Sequence, residues 1–221
     1  EQRVEGDLVD CGTGRGGGAI FMRGYLEAHA MTPPAVYVAD PFKSAQAKFV
    51  PERAELRQPR AWLRRVRRGR LLAPVAGGWS GLRNLRADLT NVRNAFKRFD
   101  LFDGRVRFLQ GSYGRTLASA PIEKVALLRI GSSAHEQADE ILERLYDKVT
   151  VGGLVVVDGY DDPACRKRVE AFREKHGIAD QLVRGDHWGA HWRKLGETGY
   201  QPPEPEIDDF GTPEDLTRDL P

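Results

Sequence analysis

The sequence predicts an α/β domain with a mostly parallel sheet and crossover helices, and three observations predict it. Short, β-rich apolar runs alternate with helical patterns along most of the chain. A glycine-rich turn, Asp10-Cys11-Gly12-Thr13-Gly14-Arg15-Gly16-Gly17-Gly18, joins the first apolar run to the first helical pattern. The second apolar run, Ala35-Val36-Tyr37-Val38-Ala39, closes on an acid, Asp40.

Each element follows in order. Asp7 to Gly12 is the first strand, a helix from about Gly17 to Ala30 follows, and Ala35 to Asp40 is the second strand. Arg105 to Leu109 is a third strand with Gly111 and Ser112 just beyond it, and Lys124 to Ile130 is a fourth. From His135 to Val149 the residues Ile141, Leu142, Leu145 and Val149 share one helical face. Leu154 to Val157 is apolar throughout, as a strand buried on both faces should be, and it ends at Asp158. Pro163 opens the next helix, where its missing N–H costs nothing, and Asp161-Asp162 read as the N-cap. Strands near 181–184 and 190–195 close the fold as an antiparallel pair around Asp186-His187-Trp188-Gly189.

Two regions break the rhythm. Residues 41–104 are far longer than an ordinary crossover and contain Trp62, Trp79, a Gly77-Gly78 hinge candidate and an arginine cluster; they are expected to form a lid insertion. That cluster is seven arginines within 57–70 and no acid, whereas 197–219 carries eight acids opposed only by Arg218. The expected organisation is therefore one domain over 1–195 and an acidic, proline-rich tail over 196–221.

Bulk properties narrow the function. At 221 residues and 40% apolar content the chain suits one core, and a formal charge of +2 gives no reason to expect a nucleic-acid partner. Cys11 and Cys165 are too few for a disulfide framework, which fits a cytoplasmic setting. No apolar run is long enough to span a membrane and no signal peptide leads the chain. The chain opens on Glu1 rather than Met, so a longer N-terminal segment is expected upstream.

The glycine turn points to a nucleotide-type cofactor. Glycines lacking Cβ let the backbone approach a ligand, and the helix start behind them offers unpaired N–H groups. An acid at the end of the second strand suits two ribose hydroxyls. These residues alone leave open which nucleotide cofactor binds.

Gly6-Asp7-Leu8-Val9-Asp10-Cys11-Gly12, Arg15-Gly16-Gly17, Val38-Ala39-Asp40, Val106-Arg107-Phe108-Leu109-Gln110-Gly111, Leu128-Arg129-Ile130, Gly152-Gly153-Leu154-Val155-Val156-Val157-Asp158 and Pro163-Ala164-Cys165-Arg166 occur in this order. As a series, from about Gly6 to Lys194, they resemble the macrocin O-methyltransferase family, actinobacterial enzymes that methylate sugar hydroxyls on antibiotics. The resemblance implies a Rossmann-like class I methyltransferase fold, S-adenosylmethionine as cofactor, a small natural-product substrate and homo-oligomeric assembly. It also implies that Asp10, Gly12 and Gly14 hold the methionine end, that Asp40 holds the ribose, and that Gly111 and Ser112 border the adenine.

The chain departs from the family at one place. Members carry acids in the loop after the fourth strand and paired aspartates after the fifth, which bind Mg²⁺ beside the substrate hydroxyl. Here Gly131, Ser133 and Gly159 stand at acidic positions, and only Asp158 remains. Magnesium wants several hard anionic oxygens, so a metal-independent reaction is expected. A side chain then has to take the hydroxyl proton, and the candidates are His135, Asp158, His187 and His191. The same missing acids leave open a member retired to binding cofactor or a partner protein, and one that uses the sulfonium for a non-methylating step.

Overall fold

The computed structural model describes residues 4–42, 88–185 and 188–196. Seven strands form a single sheet in the order β3-β2-β1-β4-β5-β7-β6. They are β1 (Asp7–Cys11), β2 (Val36–Asp40), β3 (Val106–Gln110), β4 (Val125–Ile130), β5 (Val149–Asp158), β6 (Val183–Arg184) and β7 (Gly189–Arg193). The first five run parallel, and β7 lies antiparallel to both β5 and β6. The predicted antiparallel closing pair is therefore present.

Five helices pack on this sheet among the described residues: α1 (Gly17–Ala28), α2 (Leu89–Arg98), α3 (Tyr113–Ser119), α4 (Ala138–Leu145) and α5 (Pro163–Lys175). Strand alternation divides the core between two faces. Leu8, Val36 and Val38 meet Ala19, Met22 and Leu26 of α1 and Val92 and Phe96 of α2. Val9, Cys11, Leu128, Ile130, Val155 and Val157 face the other way, onto α3, α4 and α5. Trp192 is fully buried on that second face.

Local chemistry sets the helix starts. Asp162 caps α5 by accepting from the amides of Ala164 (2.9 Å) and Cys165 (3.4 Å), with Pro163 in the first turn, as its sequence predicts. Asp88 caps α2 through the amide of Asn91 at 2.9 Å. The run expected as one helix from His135 to Val149 is divided: a 3-10 turn at Ser132–Gln137, α4, and a second 3-10 turn at Tyr146–Lys148. The fifth strand begins earlier than expected, because Val149 already pairs with Val125 across a register shift.

The expected insertion divides as well. Its 88–104 portion contains α2, a crossover helix whose Val92 and Phe96 are core residues, and not a lid. Residues 43–87, with the arginine cluster, and the acidic tail from 197 onward lie outside the described residues.

Candidate active site

Register brings the charged residues of one sheet face to its carboxyl edge. Asp10 stands beside Arg129, and Arg129 beside Val156, two residues before Asp158. On the other side Asp10 stands beside Val38, two residues before Asp40. A side-chain period of two puts Asp10, Asp40, Arg129 and Asp158 on the same face, above the apolar layer that begins with Leu8. The sheet order reverses between β1 and β4, so this edge is also the switch-point crevice where open α/β sheets bind ligands.

Arg129 ties the carboxylates together. Its Nη1 donates to Oδ1 of Asp10 at 2.5 Å and its Nη2 donates to Oδ2 of Asp158. Burial works against a charge there, yet the two facing carboxylates outweigh it and hold the Arg129 pKa above its ordinary value. The guanidinium lies under the first turn of α1, where a Cβ on Gly18 would come within 2.7 Å of Nη1. A cation at a helix start is disfavoured, so the two acids offset a helix field as well as the burial.

The glycine turn locks onto its surroundings. Gly16 caps α1 in the left-handed region (φ 88°), and a Cβ there would meet Val92 Cγ1 of α2 at 2.8 Å. Gly12 is equally tight against the loop after β4, since its Cβ would lie 2.6 Å from Ala134 Cβ and 2.9 Å from the Ala134 amide nitrogen. The Gly131 amide donates to the Cys11 carbonyl at 2.7 Å, and a Cβ on Gly131 would fall on the Gly12 carbonyl oxygen.

Asp40 folds over this turn. Burial pushes its carboxyl pKa up, the Phe42 amide at 2.9 Å pulls it down, the Asp10 charge raises it again, and the amides of Thr13 and Gly14 also favour the ionised form. A carboxylate has about four lone-pair sites, so it can accept further donors. Two buried oxygens beside it, Asp10 Oδ2 and Thr13 Oγ1, have no hydrogen-bond partner among the described residues. Gly111 (φ 143°) and Ser112 stand where β3 passes into α3, next to Asp40, whose carbonyl accepts from the Gly111 amide at 3.3 Å.

The proton-acceptor candidates separate. His135 sits in the 3-10 turn after β4, with Nδ1 2.5 Å from the Ser132 carbonyl oxygen. A carbonyl only accepts, so Nδ1 carries the proton and Nε2 is left with a lone pair in the neutral ring. Asp158 is at the edge, joined to Arg129. His191 pairs with Val156, two residues below that edge. His187 lies outside the described residues.

Arg129 is a site residue to which the sequence alone assigns no role. The available signal was a single charged side chain inside the run Val125-Ala126-Leu127-Leu128-Arg129-Ile130, because a guanidinium in a buried strand requires acidic partners.

The family described as Macrocin-O-methyltransferase (TylF) matches residues 1–61 and 79–194. The chain belongs to that family. It is 35% identical over 201 residues to the demethyldecarbamoylnovobiocin O-methyltransferase of Streptomyces niveus, covering 86% of this chain and 67% of the relative. It is 31% identical over 191 residues to the mycinamicin III 3''-O-methyltransferase of Micromonospora griseorubida, covering 86% and 69%. The chain thus spans about two thirds of the length of these curated relatives. The solved structure of the O-methyltransferase NovP superposes with a TM-score of 0.66 at 34% identity, over 87% of this chain and 73% of that one. The fold is the class I methyltransferase fold, and the protein is an S-adenosylmethionine-dependent methyltransferase of the macrocin O-methyltransferase family.

The residues present do not fit the family's magnesium ion. Asp158 shares an oxygen with Arg129, Gly131 and Gly159 offer no side-chain oxygen, and Ser133 offers a neutral hydroxyl in place of a carboxylate. Among the described residues no group of three or more His, Cys, Asp or Glu side chains could hold a metal ion. No helix among the described residues is long and apolar enough to cross a membrane.

Proposed function

We propose that this methyltransferase acts without a metal ion on a hydroxyl of a small natural product, at the carboxyl edge between β1 and β5. What carries the reading is the pair of orphaned oxygens, Asp10 Oδ2 and Thr13 Oγ1, buried beside a glycine turn at the switch point. Buried polar atoms require partners, and a ligand with an ammonium group and hydroxyls supplies donors for both. Relatives are named as O-methyltransferases, among them the mycinamicin III 3''-O-methyltransferase, which favours oxygen as the acceptor here.

S-adenosylmethionine supplies, when bound, a methyl group already activated on a sulfonium. The chain's residues then have three tasks. Asp10 and the backbone at Gly12 and Gly14 hold the methionine end, Asp40 takes the ribose hydroxyls, and Gly111 and Ser112 border the adenine. Arg129 keeps the Asp158 carboxylate at the edge. His135 takes the hydroxyl proton on Nε2 as the new C–O bond forms, its ring oriented by the Ser132 carbonyl. Alignment of nucleophile and methyl supplies most of the remaining acceleration.

Calorimetry with S-adenosylmethionine tests the cofactor assignment. Asp40→Ala is expected to weaken binding at least ~10-fold, the worth of one or two hydrogen bonds to a charged group, with the far-UV spectrum unchanged. Unaltered affinity would remove Asp40 from the ribose. His135→Gln is expected to lower kcat by about 10²–10⁴-fold with little change in KM. Wild-type turnover in that variant would rule His135 out as the base and transfer the role to Asp158 or His187.

A further inference from the structure

We propose that Phe42 is a positioning residue for Asp40: its buried ring holds a strained, left-handed backbone that aims the Phe42 amide at the carboxylate and fixes the carboxylate plane. The inference deepens the proposed function and rests on the assignment of Asp40 to the ribose. Three observations carry it together. Phe42 adopts φ 43°, a region that a bulky side chain rarely occupies. Its amide donates to Asp40 Oδ1 at 2.9 Å, across the intervening Pro41, which has no N–H to offer. Its ring is buried in the apolar layer shared with α1 and α2, 6.2 Å from the Phe108 ring of β3, and Phe108 in turn meets Phe96 of α2 edge-on at 5.9 Å.

Each observation explains the next. A left-handed non-glycine residue persists only where its surroundings over-determine it, and here the surroundings are aromatic. Burial of the ring holds the backbone in the disfavoured turn, and the turn brings the amide back onto the side chain two residues earlier. The consequence falls on Asp40. A carboxylate on two rotatable bonds can face many ways, whereas two neighbouring ribose hydroxyls need it in one plane. With Oδ1 tied to Phe42, and the amides of Thr13 and Gly14 drawn to the same group, that plane is set before a ligand arrives. The core needs only an apolar side chain at this position; the left-handed turn is what Asp40 needs.

Calorimetry with S-adenosylhomocysteine tests the role. Phe42→Ala loses the ring but keeps a Cβ, so the turn is expected to relax and affinity to fall roughly 5-fold or more, the worth of about one hydrogen bond. Phe42→Gly loses the ring as well, but glycine occupies positive φ without penalty, and its affinity is expected to stay within ~3-fold of the wild type. Asp40→Ala/Phe42→Ala is expected to bind no more than ~2-fold more weakly than Asp40→Ala alone, because the carboxylate through which Phe42 acts is already gone. Wild-type affinity in Phe42→Ala would overturn the inference. So would a Phe42→Gly protein that falls as far as Phe42→Ala, or losses that multiply in the double variant. Should Phe42→Ala not fold, Phe42→Val replaces it in both comparisons, since its branched side chain keeps apolar volume in the core yet resists positive φ. The two readings fail differently. An Asp40→Ala protein that binds like the wild type removes the ribose assignment and this inference with it, whereas a weakened Asp40→Ala beside an unaffected Phe42→Ala removes this inference alone.

Discussion

Gly131→Asp, which places an acid where the family resemblance implies one, is expected to create no metal site and to weaken S-adenosylhomocysteine binding at least ~10-fold while costing about 2–3 kcal/mol of stability. The reason is backbone against backbone. The new Cβ falls on the Gly12 carbonyl oxygen, and neither partner can retreat. The Gly131 amide is bonded to the Cys11 carbonyl at 2.7 Å, Cys11 lies in a central strand, and Ala134 presses on Gly12 from the same loop. Relief must come from the glycine turn, whose Gly12 and Gly14 amides are assigned to the cofactor. Gly159→Asp provides the contrast. A Cβ there meets only Ser132 at 3.6 and 3.7 Å, so the expected cost is the left-handed penalty of about 1–2 kcal/mol, without loss of cofactor affinity. Urea unfolding and calorimetry on both variants separate the cases. If Gly131→Asp binds and unfolds like the wild type, the two loops are not interlocked.

Much of this architecture is legible in the sequence. Asp10 and Asp40 announce themselves because each ends an apolar run, and a strand that stops on an acid rarely does so for packing. Asp162 with Pro163 was equally plain, since capping is decided within a few residues. What could not be read depends on partners distant in sequence. Arg129 and Asp10 meet only through the register of β1 on β4, and Arg129 reaches Asp158 only through β5. The interlock of Gly131 with Gly12 likewise joins two loops whose spacing along the chain says nothing of their contact. The short α3 and the polar α2 were hidden for a different reason. Seven residues give too few turns for periodicity, and α2 buries only Val92 and Phe96 beside an arginine-rich stretch that reads as surface. His135 shows both sides: its position was legible, but the Ser132 carbonyl that sets its tautomer became visible only when the expected helix proved to begin as a 3-10 turn.

Arg129→Gln is expected to cost about 3–5 kcal/mol, because it strands a charge that has no access to water. Asp10 is fully buried, one of its oxygens bonds Arg129 at 2.5 Å, and the other has no partner among the described residues, so the guanidinium is its counter-ion. Asp158 is a third exposed and can be hydrated once released, so most of the loss is assigned to Asp10. For a domain of this size that loss lowers Tm by roughly 6–20 °C. The double variant Asp10→Asn/Arg129→Gln tests the cause. Replacing the buried charge with a neutral amide removes the uncompensated carboxylate, and the pair should be more stable than Arg129→Gln alone by about 2 kcal/mol. Equal stability of the single and double variants would mean that Asp10 is neutral in the folded protein or reached by water. Cofactor binding should move the other way: the double variant lacks the carboxylate assigned to the methionine ammonium and should bind S-adenosylmethionine more weakly than Arg129→Gln. Opposite signs in stability and affinity from one substitution, Asp10→Asn, would distinguish a carboxylate kept for a ligand from one kept for the fold, and the orphaned Oδ2 predicts the former.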